Sequence, residues 1–225
     1  MKALLGNSPF TEFIGWMNVF LRNPLEKKSP HIRTHPWGES VTGQGRYYDF
    51  KKVPELIPLV LEDFKTWESY QAVQDFYKLL QWLNGPNSTL ESNDCALRGP
   101  HANTRSPHFQ QDTQCELRLM FFYRHLVNNI WQRQITWLVN CIHEELSNAT
   151  INSSATASHC IEIALIEAAF MTLAHLSEDE KVGWELDLTV WAFGDSEVET
   201  MTTLGTVIGG LHTGLQRVSA IVAKT

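Results

Sequence analysis

The sequence predicts an α+β fold, a single domain over residues 1–225 with a small mixed or antiparallel sheet covered by several amphipathic helices. Three observations carry this. Val182, Trp184, Leu186, Leu188, Val190 and Ala192 alternate with Gly183, Glu185, Asp187 and Thr189, the period of two expected of a strand with one buried face. Gly194-Asp195 breaks that run, and Ser196 with Glu199 three residues on has capping-box spacing. Met201, Leu204, Ile208, Leu211, Leu215, Val218 and Val222 then recur at spacings of three and four, one apolar stripe on a helix over 197–222.

The remaining elements follow in chain order. Ser8-Pro9 suits a helix start, with Phe10, Phe13, Ile14, Met17 and Leu21 on one face. Residues 23–45 are rich in Pro, Gly and polar side chains and predict a loop, and 47–50 a short edge strand. Residues 53–67 have a helical pattern blurred by Pro54 and Pro58. A clearer helix runs from Tyr70 to Leu83 and stops at Asn84-Gly85-Pro86. Residues 85–112 have weak periodicity, and because long structureless loops are uncommon in compact domains, 90–97 is expected to hide a strand. Leu117, Leu119, Phe121 and Tyr123 alternate and predict a strand at 116–124. Asn128 or Asn129 would cap a helix over 129–147. Residues 155–176 are apolar almost all round and predict a helix buried on several sides. Ser177 and Glu180 predict one further helical turn. The rival fold is an all-α bundle in which 113–147 is one helix.

Composition narrows the function classes. The chain has 225 residues, 43% of them hydrophobic, with eight Trp and eleven Phe, enough for a substantial core. Its formal net charge is −7, and no long basic stretch offers a face to phosphates, so no nucleic acid is expected as partner. The apolar run Ile161–Leu176 contains Glu162, Glu167 and His175, which disfavours a membrane span, and the first residues lack the run of a signal peptide. Cys95, Cys115, Cys141 and Cys160 form no CxxC pair, consistent with free thiols in a reducing cytoplasm. Nine histidines give neither HExxH nor Glu-x-x-His, so no metal is expected; GxGxxG, GxxxxGK[ST] and GxSxG are also absent, so no cofactor is either.

Three constellations remain. Asn93-Asp94-Cys95-Ala96-Leu97-Arg98, followed by His101, Arg105 and His108, gathers a thiol, an acid and cations in a loop at the end of a predicted strand. Asp94, Cys95, Arg98 and His101 are the catalytic candidates there, since a neighbouring cation or base is what lowers a thiol's pKa. The bland alternative is a partly buried strand cysteine among solvated charges. Glu162 and Glu167 on the apolar segment would need a core-facing Arg118 or Arg124, or exposure at a helix edge. Gly205, Gly209, Gly210 and Gly214 make four-residue spacings that suit either packing onto the protein's own elements or a self-association seam through the 197–222 helix.

With no catalytic motif, an acidic balance and many aromatics, the expectation is a cytoplasmic interaction or binding protein without catalysis of its own. The alternative is a small hydrolase or transferase using the 93–108 loop. A cleft converging titratable groups would favour the enzyme; an exposed apolar patch would favour the binding protein.

Overall fold

A computed structural model describes residues 18–22, 33–35, 50–103, 108–121, 127–151, 159–170, 176–177 and 181–224. The fold is α+β. Strands β1 (Asn18–Arg22), β2 (Arg33–His35), β3 (Leu90–Ala102), β4 (Gln111–Phe121), β5 (His159–Phe170) and β6 (Val182–Gly194) form one sheet in the order β1-β5-β6-β4-β3. The pairs from β5 to β3 are all antiparallel. On the other edge of β5, β1 runs parallel along Cys160–Ala164 and β2 along Ala168–Phe170. The helices are α1 (Ile57–Val60), α2 (Glu62–Lys65), α3 (Gln71–Asn84), α4 (Val127–Ile130), α5 (Gln132–Ile151) and α6 (Glu197–Val222). No helix among the described residues is long and apolar enough to cross a membrane.

The structure departs from the sequence expectations where apolar patterning lost its period. Residues 159–170 are a strand, not part of a helix over 155–176; 152–158 and 171–175 lie outside the described residues. β5 has a partner strand on each side and Cys160, Ile161, Glu162 and Ile163 are all buried, so both faces are covered and the apolar–polar alternation disappears. Asn18–Arg22 is strand where a helix through Leu21 was expected, and Arg33–His35 is strand inside the expected loop. The 53–67 helix is a 3-10 turn followed by the single turns α1 and α2. Of the expected edge strand at 47–50, Phe50 lies in a turn and the rest falls outside the described residues. The 129–147 helix is two helices separated by Trp131. Asn129 does not cap α5: it is buried within α4 and its Nδ2 donates to the Trp184 carbonyl at 3.0 Å.

Helices α3, α5 and α6 layer one face of the sheet. Leu186, Leu188, Val190 and Ala192 of β6 and Ile161 and Ile163 of β5 meet Leu79, Leu80 and Leu83 of α3, Ile135, Leu138 and Ile142 of α5, and the Met201–Val222 stripe of α6 in one buried cluster. Each buried aliphatic side chain contributes about 1.5–3 kcal/mol relative to exposure. α6 lies between α3 and α5 and packs on both. Ser196 caps it, its Oγ accepting from the Glu199 amide at 3.2 Å, while Glu199 reaches back to accept from the Asp195 amide at 3.0 Å, one residue beyond the usual box. Its far end is tied to the sheet by Thr89, whose amide donates to Ser219 Oγ at 2.9 Å in a buried contact. Lys51 Nζ donates to the carbonyls of Leu83, Ser88 and Leu90 at 3.0 Å each, holding the end of α3 against the start of β3.

Candidate functional site

Residues 93–102 lie within β3, not in a loop, and strand alternation sorts the catalytic candidates. Asp94 stands opposite Arg118, Ala96 opposite Glu116, Arg98 opposite Gln114 and, past a bulge at Gly99-Pro100, His101 opposite Asp112. Cys95 and Leu97 fall on the other side: Leu97 is buried in the helix-covered cluster and Cys95 is half-buried against it. The thiol is therefore on the opposite sheet face from Arg98. Arg98 is exposed. Gly99 is required locally, since a Cβ there would collide with the indole of Trp67.

His101 has two polar partners at hydrogen-bond distance. Its Nδ1 lies 3.0 Å from the Gly99 carbonyl and its Nε2 2.7 Å from Oδ1 of the buried Asp112. A carbonyl can only accept, so Nδ1 donates in that contact. The pair closes the end of the β3–β4 ribbon beside Thr113, whose hydroxyl donates to the Arg98 carbonyl.

Backbone register aligns charged residues that sequence spacing did not bring together. Register places Asp94, Arg118 and Asp187 in one cross-strand row, and Glu116, Thr189 and Glu162 in the next. Glu185 is fully buried there and accepts from Asn93 Nδ2 at 2.8 Å. β6 is thus covered on both faces along most of its length: Glu185, Thr189, Trp191 and Phe193 are buried, as is the apolar row behind them, while Asp187 is half-buried. Glu162 and Glu167 sit five apart on a strand and point to opposite faces, with Glu162 buried and Glu167 half-buried. Arg124 lies outside the described residues. The period-two run of β6 already placed Glu185 and Asp187 on one face; their burial was not visible in it.

Burial governs the remaining titratable groups. His159 is buried opposite Ala192 and its pKa is pushed down to about 4 by desolvation. Burial, with Glu162 alongside, raises the Cys160 thiol far above its ordinary value, and burial with Glu144 and Glu145 raises Cys141. None of these is an activated nucleophile. Among the described residues no three His, Cys, Asp or Glu side chains converge to hold a metal ion.

The other distinctive surface is the outward side of α6. Val198, Thr202, Thr206, Gly209, Thr213, Gln216 and Ala220 are all exposed, and none is charged. Thr202, Thr206 and Thr213 donate their hydroxyls to the carbonyls of Val198, Thr202 and Gly209 of the same helix, at 2.7, 3.2 and 3.0 Å. That back-bonding fills their donor capacity and turns the hydroxyls away from solvent. The four helix glycines divide. Gly205 abuts Ala72 of α3, with a built Cβ 3.5 Å from its Cα, and Gly214 abuts Leu146 of α5 at 2.8 Å. At Gly209 and Gly210 a Cβ would meet nothing within 4 Å among the described residues. Packing onto the protein's own helices thus explains two glycines and leaves two without an internal reason. Comparison with protein-family models, curated proteins and solved structures gives no match.

Proposed function

We propose that this is a cytoplasmic interaction protein whose binding surface is the outward face of α6. The observation that carries it is one helix face on which Val198, Thr202, Thr206, Gly209, Thr213, Gln216 and Ala220 are exposed and uncharged, on a chain with a formal charge of −7. Exposed helix faces normally carry charges for solubility, and a run without them is where a partner can dock without desolvating ions. The Cys141 and Cys160 thiols, which form no disulfide, fit a reducing compartment. The test is site-specific photo-crosslinking in cells, with a benzophenone amino acid at Thr206 and, as control, at Glu55. Discrete adducts from Thr206 and none from Glu55 are expected; equal or absent adducts would refute the reading.

A second reading, a small hydrolase or transferase, has one observation in its favour: the His101–Asp112 pair beside exposed Arg98. It draws no support from Cys95, which packs on the core side. Iodoacetamide labelling against pH addresses the thiol. Cys95 is expected to react no faster than an ordinary thiol of pKa about 8.5, and selective labelling of Cys95 well below pH 8 would revive a nucleophilic role.

A further inference from the structure

Residues 53–66 pack on α3 and β3 but share no hydrogen bond with either among the described residues. The segment is a 3-10 turn over Pro54–Leu56 followed by the single turns α1 and α2, and none of the three has a side-chain cap. Helices this short have no stability of their own. Their backbone bonds are local, from Leu61 to Ile57, Phe64 to Leu61 and Trp67 to Phe64, and Lys65 pairs with Glu62 of the same turn. Only Ile57 and Phe64 are buried, while Leu59 is 66% exposed. Both ends, in contrast, are fixed. Before the segment, Lys51 Nζ holds the carbonyls of Leu83, Ser88 and Leu90. After it, the Trp67 indole fills the space beside Gly99, and the Tyr70 hydroxyl donates to Glu197. Two apolar plugs thus hold down a strap between two anchored ends.

Beneath the strap lies a polar group that the closed state leaves unsatisfied. Phe64 packs on Phe76 and Tyr77 of α3, with ring centroids 5.0 and 5.7 Å apart. Tyr77 is 3% exposed, and its hydroxyl, sealed from solvent, meets no hydrogen-bond partner among the described residues. Burial, with the charges of Glu68 and Glu62, raises this phenol above its ordinary pKa, so it keeps its proton and is a donor without an acceptor. Keeping such a group from water has a cost that hydration removes. We infer that residues 53–66 open as one unit while the rest of the fold stays intact, and that the buried Tyr77 hydroxyl biases the strap towards opening. Opening withdraws Ile57 and Phe64 and leaves Phe76 and Tyr77 facing water. The apolar surface exposed keeps the open state a minority. The neighbouring helices are tied differently: α3 bonds to β3 through Asn84 and Ser92, and α6 bonds to Thr89 through Ser219. This device is independent of the binding role given to α6.

Native-state hydrogen exchange of the full chain, read by mass spectrometry at neutral pH in increasing sub-denaturing urea, tests this. In the wild type the bonded amides of Leu61, Phe64 and Trp67 are expected to exchange at least a hundredfold more readily than those in the middle of α3 and α6. Their rates should barely respond to urea, because a local opening exposes little surface. Tyr77→Phe keeps the ring and removes the stranded hydroxyl, and is expected to slow the strap amides at least fivefold with unchanged circular dichroism. Strap amides that exchange together with α6, at the same rate and with the same steep urea dependence, overturn the inference, since the segment then leaves only when the whole protein unfolds. Strap amides that Tyr77→Phe leaves unchanged or speeds up overturn it too, because the hydroxyl would then gain nothing from opening.

Discussion

The inward and outward faces of α6 share one backbone and follow different rules. Inward, Met201, Leu204, Ile208, Leu211, Leu215 and Val218 are buried among α3, α5 and the sheet, and Gly205 and Gly214 are small because neighbouring helices press on them. Outward, Val198, Thr202, Thr206, Gly209, Thr213, Gln216 and Ala220 are exposed and uncharged, and a Cβ at Gly209 would meet nothing within 4 Å among the described residues. The inward face answers to core packing, where each methylene counts. The outward face shows no such packing among the described residues, and it is there that the binding role is proposed.

The largest effect is expected inward. Leu204→Ala should lower unfolding free energy by about 2–5 kcal/mol in urea titrations, the usual cost of a buried leucine and the cavity it leaves. A cost below 1 kcal/mol would mean that α6 is not packed as described.

Acid should act on the sheet beneath the helices, not on the outward face. His159 is buried with its pKa lowered to about 4 from 6.5. The unfolded chain therefore binds a proton that the folded one refuses between those values. Its neutral form supports the fold fully above pH 6.5, and that support is lost as pH falls from 6.5 towards 4, by about 3 kcal/mol in all. His159→Leu should flatten this part of the pH–stability curve; an unchanged slope would assign the acid sensitivity elsewhere.

The glycines sharpen the contrast because the same substitution should have opposite signs. Gly214→Ala pushes a methyl into Leu146 and should cost about 1–3 kcal/mol. Gly209→Ala meets nothing within 4 Å among the described residues and should raise stability by up to about 1 kcal/mol through helix propensity. Thermal unfolding of the two variants at low protein concentration distinguishes them, and a destabilised Gly209→Ala would remove the claim that this glycine lacks an internal role.

The parts of this fold that were legible in the sequence are those where one face differs from the other. α6 and β6 carried clean periods of 3.6 and 2, and the Ser196–Glu199 cap marked the join. The strands at 90–97 and 116–121 were also visible, though the first extends to Ala102 and the second begins at Gln111, through residues that looked like loop, and 122–124 lie outside the described residues. β5 was misread because a central strand covered on both faces has no alternation, and twelve such residues within a longer apolar run resemble a buried helix. β1 and β2 are five and three residues long and draw their pairing from β5, which local sequence does not encode. The 93–108 cluster was assembled from sequence proximity. Strand residues alternate in direction, so Cys95 parts from Arg98, and Arg98 and His101 are realigned only by the bulge between them. The rows joining Asp94, Arg118 and Asp187 depend on register across three strands, which no local pattern contains.

The division of labour within α6 is tested most directly by the stability of Thr206→Glu, measured by urea unfolding. Thr206 is exposed and its hydroxyl bonds only within its own helix. The account predicts a change within about 0.5 kcal/mol of the wild type, as for an ordinary surface substitution. A loss of 2 kcal/mol or more, comparable to Leu204→Ala, would show that the outward face is part of the monomer's own structure and would contradict the binding role assigned to it.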